Sequence, residues 1–138
     1  MKPSGFDFWR RAFAVWLLIA LAETVHGVLR GLFVVPLWGE AAAAYIGFVV
    51  GSALVIGLAW WTSRWLGAAT RMAQLQAGLL WLGLMFGYEL VIGRAQGFSW
   101  QRIGAAFDPS QGGLMVFGLL LMGLAPLLGA WLRSLQRV

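Results

Sequence analysis

Four long apolar segments constrain this chain more than any other feature of its sequence. They run from Ala12 to Val35, Ala41 to Thr62, Met72 to Gly93 and Gly113 to Leu132. Each can cross about 30 Å of hydrocarbon, which takes about 20 helical residues. In a chain of 138 residues, no aqueous core could enclose four such segments, so a bilayer is the solvent they call for. Composition agrees: 61% of the residues are hydrophobic and 11% charged, against about 25% charged in soluble domains. The expected fold is all-α, a single transmembrane domain over residues 1–138 built as a bundle of four transmembrane helices.

Basic residues set the expected topology. With the N-terminus inside, Lys2, Arg10, Arg11, Arg64, Arg71, Arg133 and Arg137 are cytoplasmic, and only Arg94 and Arg102 lie outside. That bias follows the positive-inside rule and places both termini in the cytoplasm. It also explains the formal charge of +5 without a nucleic-acid partner. Lys2, Arg10, Arg11 and the apolar residues ending in Ala20-Leu21-Ala22 resemble a secretory signal. The apolar run continues to Val35, however, so we read it as an uncleaved first span. Trp38, Trp60, Trp61, Trp65, Trp100 and Trp131 cluster near span ends, as interfacial aromatics do. Arginine outnumbers lysine nine to one, which suits a GC-rich bacterial genome and a bacterial cytoplasmic membrane.

Pro36 to Glu40 and Ser63 to Arg71 are short connections, so consecutive spans run antiparallel. Arg94 to Gln111 is the one long loop. There Ser99 can cap a short helix with Trp100, Ile103 and Phe107 on one side, stopped by Asp108-Pro109. It is expected to lie flat at the outer interface. Glu23-Thr-Val-His-Gly27 also resembles Glu89-Leu-Val-Ile-Gly93, and the following spans share widely spaced glycines, Gly47, Gly51 and Gly57 against Gly113, Gly118 and Gly123. These similarities suggest a parallel repeat of two hairpins.

Three ionisable residues interrupt the first span, at Glu23, His26 and Arg30. At about 100° per residue they share an arc of about 60° on one helical face. Each costs roughly 2.5–3.5 kcal/mol at membrane depth, so a stripe of three needs protein neighbours. A facing seam on the third span reads Gln74, Gly78, Met85, Glu89 and Gly93. At a rise of about 1.5 Å per residue, Arg30 and Glu89 lie at similar depths, about 8 and 6 Å below the outer ends of their spans. An Arg30–Glu89 ion pair is therefore expected, serving as a gate or a structural tie. Glu23 and His26, nearer the midplane, form a candidate proton or ion site, with Gln74 and Tyr88 lining the path. Gly27-x-x-x-Gly31, Gly47-x-x-x-Gly51 and Gly83-x-x-x-Gly87 are candidate close-packing positions.

Several function classes find no residues here. With no cysteine and one histidine, thiol redox chemistry, zinc–thiolate sites and hydrolytic triads have no ligands or nucleophiles, and no metal or cofactor is expected. A haem or pigment on His26 would need a second axial ligand from another chain. An enzyme acting on lipid lacks a nucleophile or metal set. What remains is proton-coupled or cation transport through the polar stripe, or a non-catalytic accessory or scaffolding subunit of a larger membrane complex. The bilayer is one partner in either case, and a homo-oligomer or larger complex is the other.

Glu23-x-x-His26-Gly27-x-x-Arg30, Tyr88-Glu89-x-x-x-Gly93-Arg94 and Ser99-Trp100 together resemble a group of uncharacterised small four-span bacterial inner-membrane proteins with no assigned activity. The resemblance implies fold and topology only. Phe107-Asp108-Pro109 stands where that group has an Asp-Tyr-Asn-like stretch. Small multidrug transporters are similar in size and in their first-span glutamate, an analogy of mechanism. They lack the adjacent His-Gly-x-x-Arg and the long third loop.

Overall fold

A computed structural model describes residues 5–137, which are mostly helical, with no strand among them. Lys2, one of the expected cytoplasmic basic residues, falls outside the described residues. Helix α1 spans Gly5–Leu29 and runs through a π-helical turn, Arg30–Val34, into α2, Val35–Leu66. Helix α3 spans Arg71–Ala95, α4 spans Trp100–Phe107 and α5 spans Met115–Leu135. Three helical runs are long and apolar enough to cross a membrane: Gly5–Leu66, Arg71–Ala95 and Met115–Leu135. Within their most apolar windows only 17%, 22% and 22% of residues are buried inside the chain. The remaining apolar surface requires an apolar surrounding, which makes this a membrane protein.

The first run has 62 residues and would extend about 93 Å if straight, at about 1.5 Å per residue. Instead it folds back, because Gly51 on α2 lies against the Glu23 carboxylate on α1. The turn was expected to occupy Pro36 to Glu40 but is confined to Gly39. That residue has φ 85° and ψ 168°, a region essentially reserved for glycine. Pro36 sits in the first turn of α2, where its missing N–H costs nothing.

Helix α1 packs on α2 and α3, and α5 packs on the same two helices. The repeat suggested by the sequence has a structural counterpart. The ends of α1 and α3, Leu29 and Ala95, are offset by 66 positions. Ala12, Val15 and Ile19 are buried on α1, and the residues 66 positions later on α3, Gly78, Trp81 and Met85, are buried too. An offset of 67 relates buried Val55, Ala59 and Thr62 on α2 to buried Met122, Pro126 and Gly129 on α5. The two hairpins therefore present equivalent faces to one another.

Contact between helices is closest where residues are smallest. A Cβ built on Gly78 would stand 1.8 Å from the Gly123 carbonyl oxygen, and one on Gly129 would stand 2.6 Å from the Ala59 backbone. Gly27, Gly31, Gly83 and Gly87 have no atom within 4 Å of the corresponding point, so the close packing expected of them does not occur within the chain. Gly47 and Gly51 do face neighbours, but these are side chains of α1 rather than a backbone. Spacing alone cannot say which face of a helix turns inward, and Gly27 and Gly83 lie on faces with nothing against them. Trp81 is fully buried, and its indole N–H donates to the Ala12 carbonyl at 2.8 Å, tying α3 to α1.

Arginines fasten one end of the assembly. Arg133 on α5 donates to the carbonyls of Trp60 and Trp61 and to Ser63 Oγ on α2, and lies over the Trp60 ring. Arg11 donates to the Trp65 carbonyl at 2.8 Å and lies over that ring. Both cations sit near the C-terminus of α2, where the helix dipole favours them. At the opposite end Ser99 caps α4 by accepting from the Arg102 N–H. Ile103 buries against Gly93, and Phe107 meets Phe86 edge-on. In the following turn the Asp108 carboxylate accepts from the Ser110 hydroxyl, the Gln111 amide and the Ser110 backbone N–H, which together hold its pKa below the ordinary 3.8.

Two predictions follow from these contacts. Gly78→Ala should lower stability by about 1–3 kcal/mol or more, because backbone must move, whereas Gly83→Ala and Gly87→Ala should stay within about 0.5 kcal/mol of the parent chain. Thermal unfolding in detergent micelles measures both. The Asp108 contribution is present above pH 3.8 and is lost as pH falls through the lowered folded value. Amide protection factors at Ser110 and Gly113, which are corrected for the intrinsic pH dependence of exchange, should therefore be constant near neutrality and fall only in strong acid.

Candidate functional site

The polar residues of α1 do not act as a single unit. Glu23 points between α1 and α2, where Gly51 leaves room for it: a Cβ there would stand 2.9 Å from Oε2. His26, one turn further on, places Nδ1 3.7 Å from Glu23 Oε2, a loose contact. Thr24 bonds back to the Ala20 carbonyl and shares a short hydrogen bond with the Tyr88 hydroxyl, linking α1 to α3 beside both glutamates. The Tyr88 ring also meets Trp16 edge-on, with centroids 6.1 Å apart.

The expected Arg30–Glu89 ion pair does not form. Among the described residues the only ion pairs within 4.0 Å are Arg10–Asp7 and the His26–Glu23 contact. Arg30 lies along α2 instead, its Cδ 2.6 Å from where a Gly47 Cβ would be. The π-helical turn that begins at Arg30 inserts an extra residue and changes the direction in which the helix presents its side chains. Glycine at 47 leaves the groove that receives the aliphatic stem.

Glu89 joins Glu23 instead. Both line one cavity of about 140 Å³ between α1, α2, α3 and α5, whose wall includes Ser52, Met85 and Gly118. Depth counted from the outer ends at Val35 and Gly93 puts Arg30 and Glu89 at similar levels, but the helical backbone runs on to Gly39 and the π-helical turn at Arg30 directs its side chain along α2. Helices α1 and α3 pair in a register that brings Glu89 to the same cavity as Glu23. Gln74 and Tyr88 are not among the lining residues. Gln74 instead donates to the Ala68 carbonyl at the α2–α3 turn, and Tyr88 faces Thr24 and Trp16.

The site is also less enclosed than expected. His26 and Glu23 keep 16% and 25% of their side chains exposed, and Thr62 is the one wholly buried polar residue among those described. The polar stripe is thus half-buried, because the cavity it borders is partly open. One atom is an exception: Glu23 Oε1 is buried and accepts no hydrogen bond from a described residue. Sequence reading had no reason to select Ser52, Met115 or Met122. The signal that could have found them is the 67-residue offset of the repeat, which carries the α2 wall onto the α5 wall.

Comparison with known proteins adds no second line of argument, since no family model, curated protein or solved structure matches this chain. Two carboxylates facing one cavity among apolar helices can attract a cation or exchange a proton. They supply too few oxygen ligands for calcium, which takes about 6–8.

Gly51→Ala provides a local test of this geometry. The added methyl meets the end of a flexible side chain, so the melting temperature should fall less than for Gly78→Ala. The Glu23 carboxylate should nonetheless be displaced, which a carboxyl-directed infrared difference spectrum would register.

Proposed function

We propose that this chain is a four-span protein of a bacterial cytoplasmic membrane, with both termini in the cytoplasm, that carries a proton or a monovalent cation through the cavity bordered by Glu23 and Glu89. The observation that carries this reading is the convergence of two carboxylates, from separate helices, on one partly open space within apolar segments. An isolated membrane carboxylate can be a structural tie to a donor; two that share a cavity without a cationic ligand between them form a receptor for positive charge. His26 stands beside Glu23 as a proton acceptor, and Arg30 lies on the outer side of the same stripe. The four-span arrangement draws support from the fold-back at Gly39, which makes two arms of the 62-residue run. Helix α4, with Trp100 exposed and Ile103 turned inward, suits an outer interfacial position.

An accessory or scaffolding role is the second reading. The outward-facing glycines at 27, 31, 83 and 87 favour it, since they offer flat surfaces that another subunit or a second copy could cover. Stoichiometric recovery of a larger membrane partner on native purification would support it.

Reconstituted proteoliposomes containing a trapped pH indicator test the leading reading. Glu23→Gln should reduce proton or cation-driven flux about tenfold or more, equivalent to about 1.4 kcal/mol of lost interaction, with helix content unchanged. Flux unaltered in both Glu23→Gln and Glu89→Gln would refute it.

A further inference from the structure

The walls of the cavity repeat with the two hairpins. Glu23 and Glu89 are 66 positions apart and both line it. On α2, Phe48, Gly51, Ser52 and Val55 border the space. The residues 67 positions later, Met115, Gly118, Leu119 and Met122 on α5, border it too. Every α2 lining residue therefore has its counterpart on the opposite wall. Since α1 and α3 run in the same direction, as do α2 and α5, the cavity lies on a pseudo-twofold axis parallel to the helices, with one carboxylate on either side.

From this we infer that the cavity is a binding site for one small quaternary or alkylammonium cation, held on the axis between Glu23 and Glu89. The inference rests on the cation-carrying reading above and names its ligand class. Size limits the choice first. A cavity of about 140 Å³ compares with the apolar cavity of about 150 Å³ that holds benzene, so the occupant has only a handful of heavy atoms. Wall chemistry limits it further. Apart from the two carboxylates and the Ser52 hydroxyl, the lining side chains are apolar. Such walls suit a cation with a hydrocarbon surface better than a guanidinium or a hydrated metal ion, both of which need hydrogen bonds on every side. Phe48 offers an aromatic ring to the charge, and the three methionines supply adaptable thioether surface. Sharing one cavity, the two carboxylates favour a cationic occupant over a neutral one.

Equilibrium dialysis of radiolabelled tetramethylammonium against the purified full chain in detergent tests the inference. Saturable binding at one ion per chain is expected. Glu23→Gln and Glu89→Gln should each weaken it tenfold or more. Gly118→Val keeps both carboxylates and adds its side chain where no atom lies within 4 Å of the Cβ; it should abolish binding with unchanged helix content. Gly57→Val is equally unobstructed but lies away from the cavity, and should bind as the parent does. Tetraphenylphosphonium, far larger than the space, should not compete. The inference is overturned by absent saturable binding, by binding that survives Gly118→Val, or by effective competition from the large cation. If tetramethylammonium fails to bind while proton flux still depends on Glu23, only the ligand class falls. Binding without any flux would instead retain the site and remove the transport reading.

Discussion

Close approach of small residues is the constraint on which the rest of this structure depends. In lipid no hydrophobic force drives one apolar helix onto another, so association relies on packing and on hydrogen bonds between helices. Gly78 against Gly123, and Gly129 against Ala59, bring backbones within a distance that any larger residue would prevent. Buried alanines at 12, 43, 59, 77 and 125 extend the same principle. Between α1 and α3 the Trp81 indole reaches the Ala12 carbonyl and Thr24 reaches Tyr88.

The polar side chains then settle into the spaces left by the packing. Glycine at 51 receives a carboxylate and glycine at 47 receives the stem of an arginine. This pair belongs to a familiar helix-packing spacing, yet here its purpose is to give charged side chains a place away from lipid. Glu23 and Glu89 are directed to a common cavity because α1 and α3 pair with a 66-position offset, at which their buried faces correspond. Arginines at the other end secure α2 to α1 and α5 through carbonyl groups that the helix would otherwise leave to solvent.

The candidate site was legible in part. Glu23 and Glu89 were singled out from the sequence because a carboxyl group within an apolar span demands protein neighbours. Their meeting was not legible, since depth was reckoned from the span ends at Val35 and Gly93, and depth does not report which way a side chain turns. Arg30 was assigned to Glu89 on that same reckoning; a π-helical turn, which no periodicity reports, directs it elsewhere. The α4 helix was fully legible, because the Ser99 cap and the Asp108-Pro109 stop are local signals. Glycine faces were the least legible. Gly27, Gly31, Gly83 and Gly87 share their spacing with Gly47 and Gly51, and spacing cannot distinguish an inward from an outward face.

The sequence by itself determined that this protein is helical and suited to a membrane, where its chain reverses, and which few residues are costly enough in lipid to require partners. These are properties of runs, caps and composition, and each is decided within a few turns of chain. Tertiary structure alone decided which costly residues meet. That depends on the register and rotation of one helix against another, set by small residues distant in sequence and by one inserted turn. The same register placed two glutamates on either side of a shared axis.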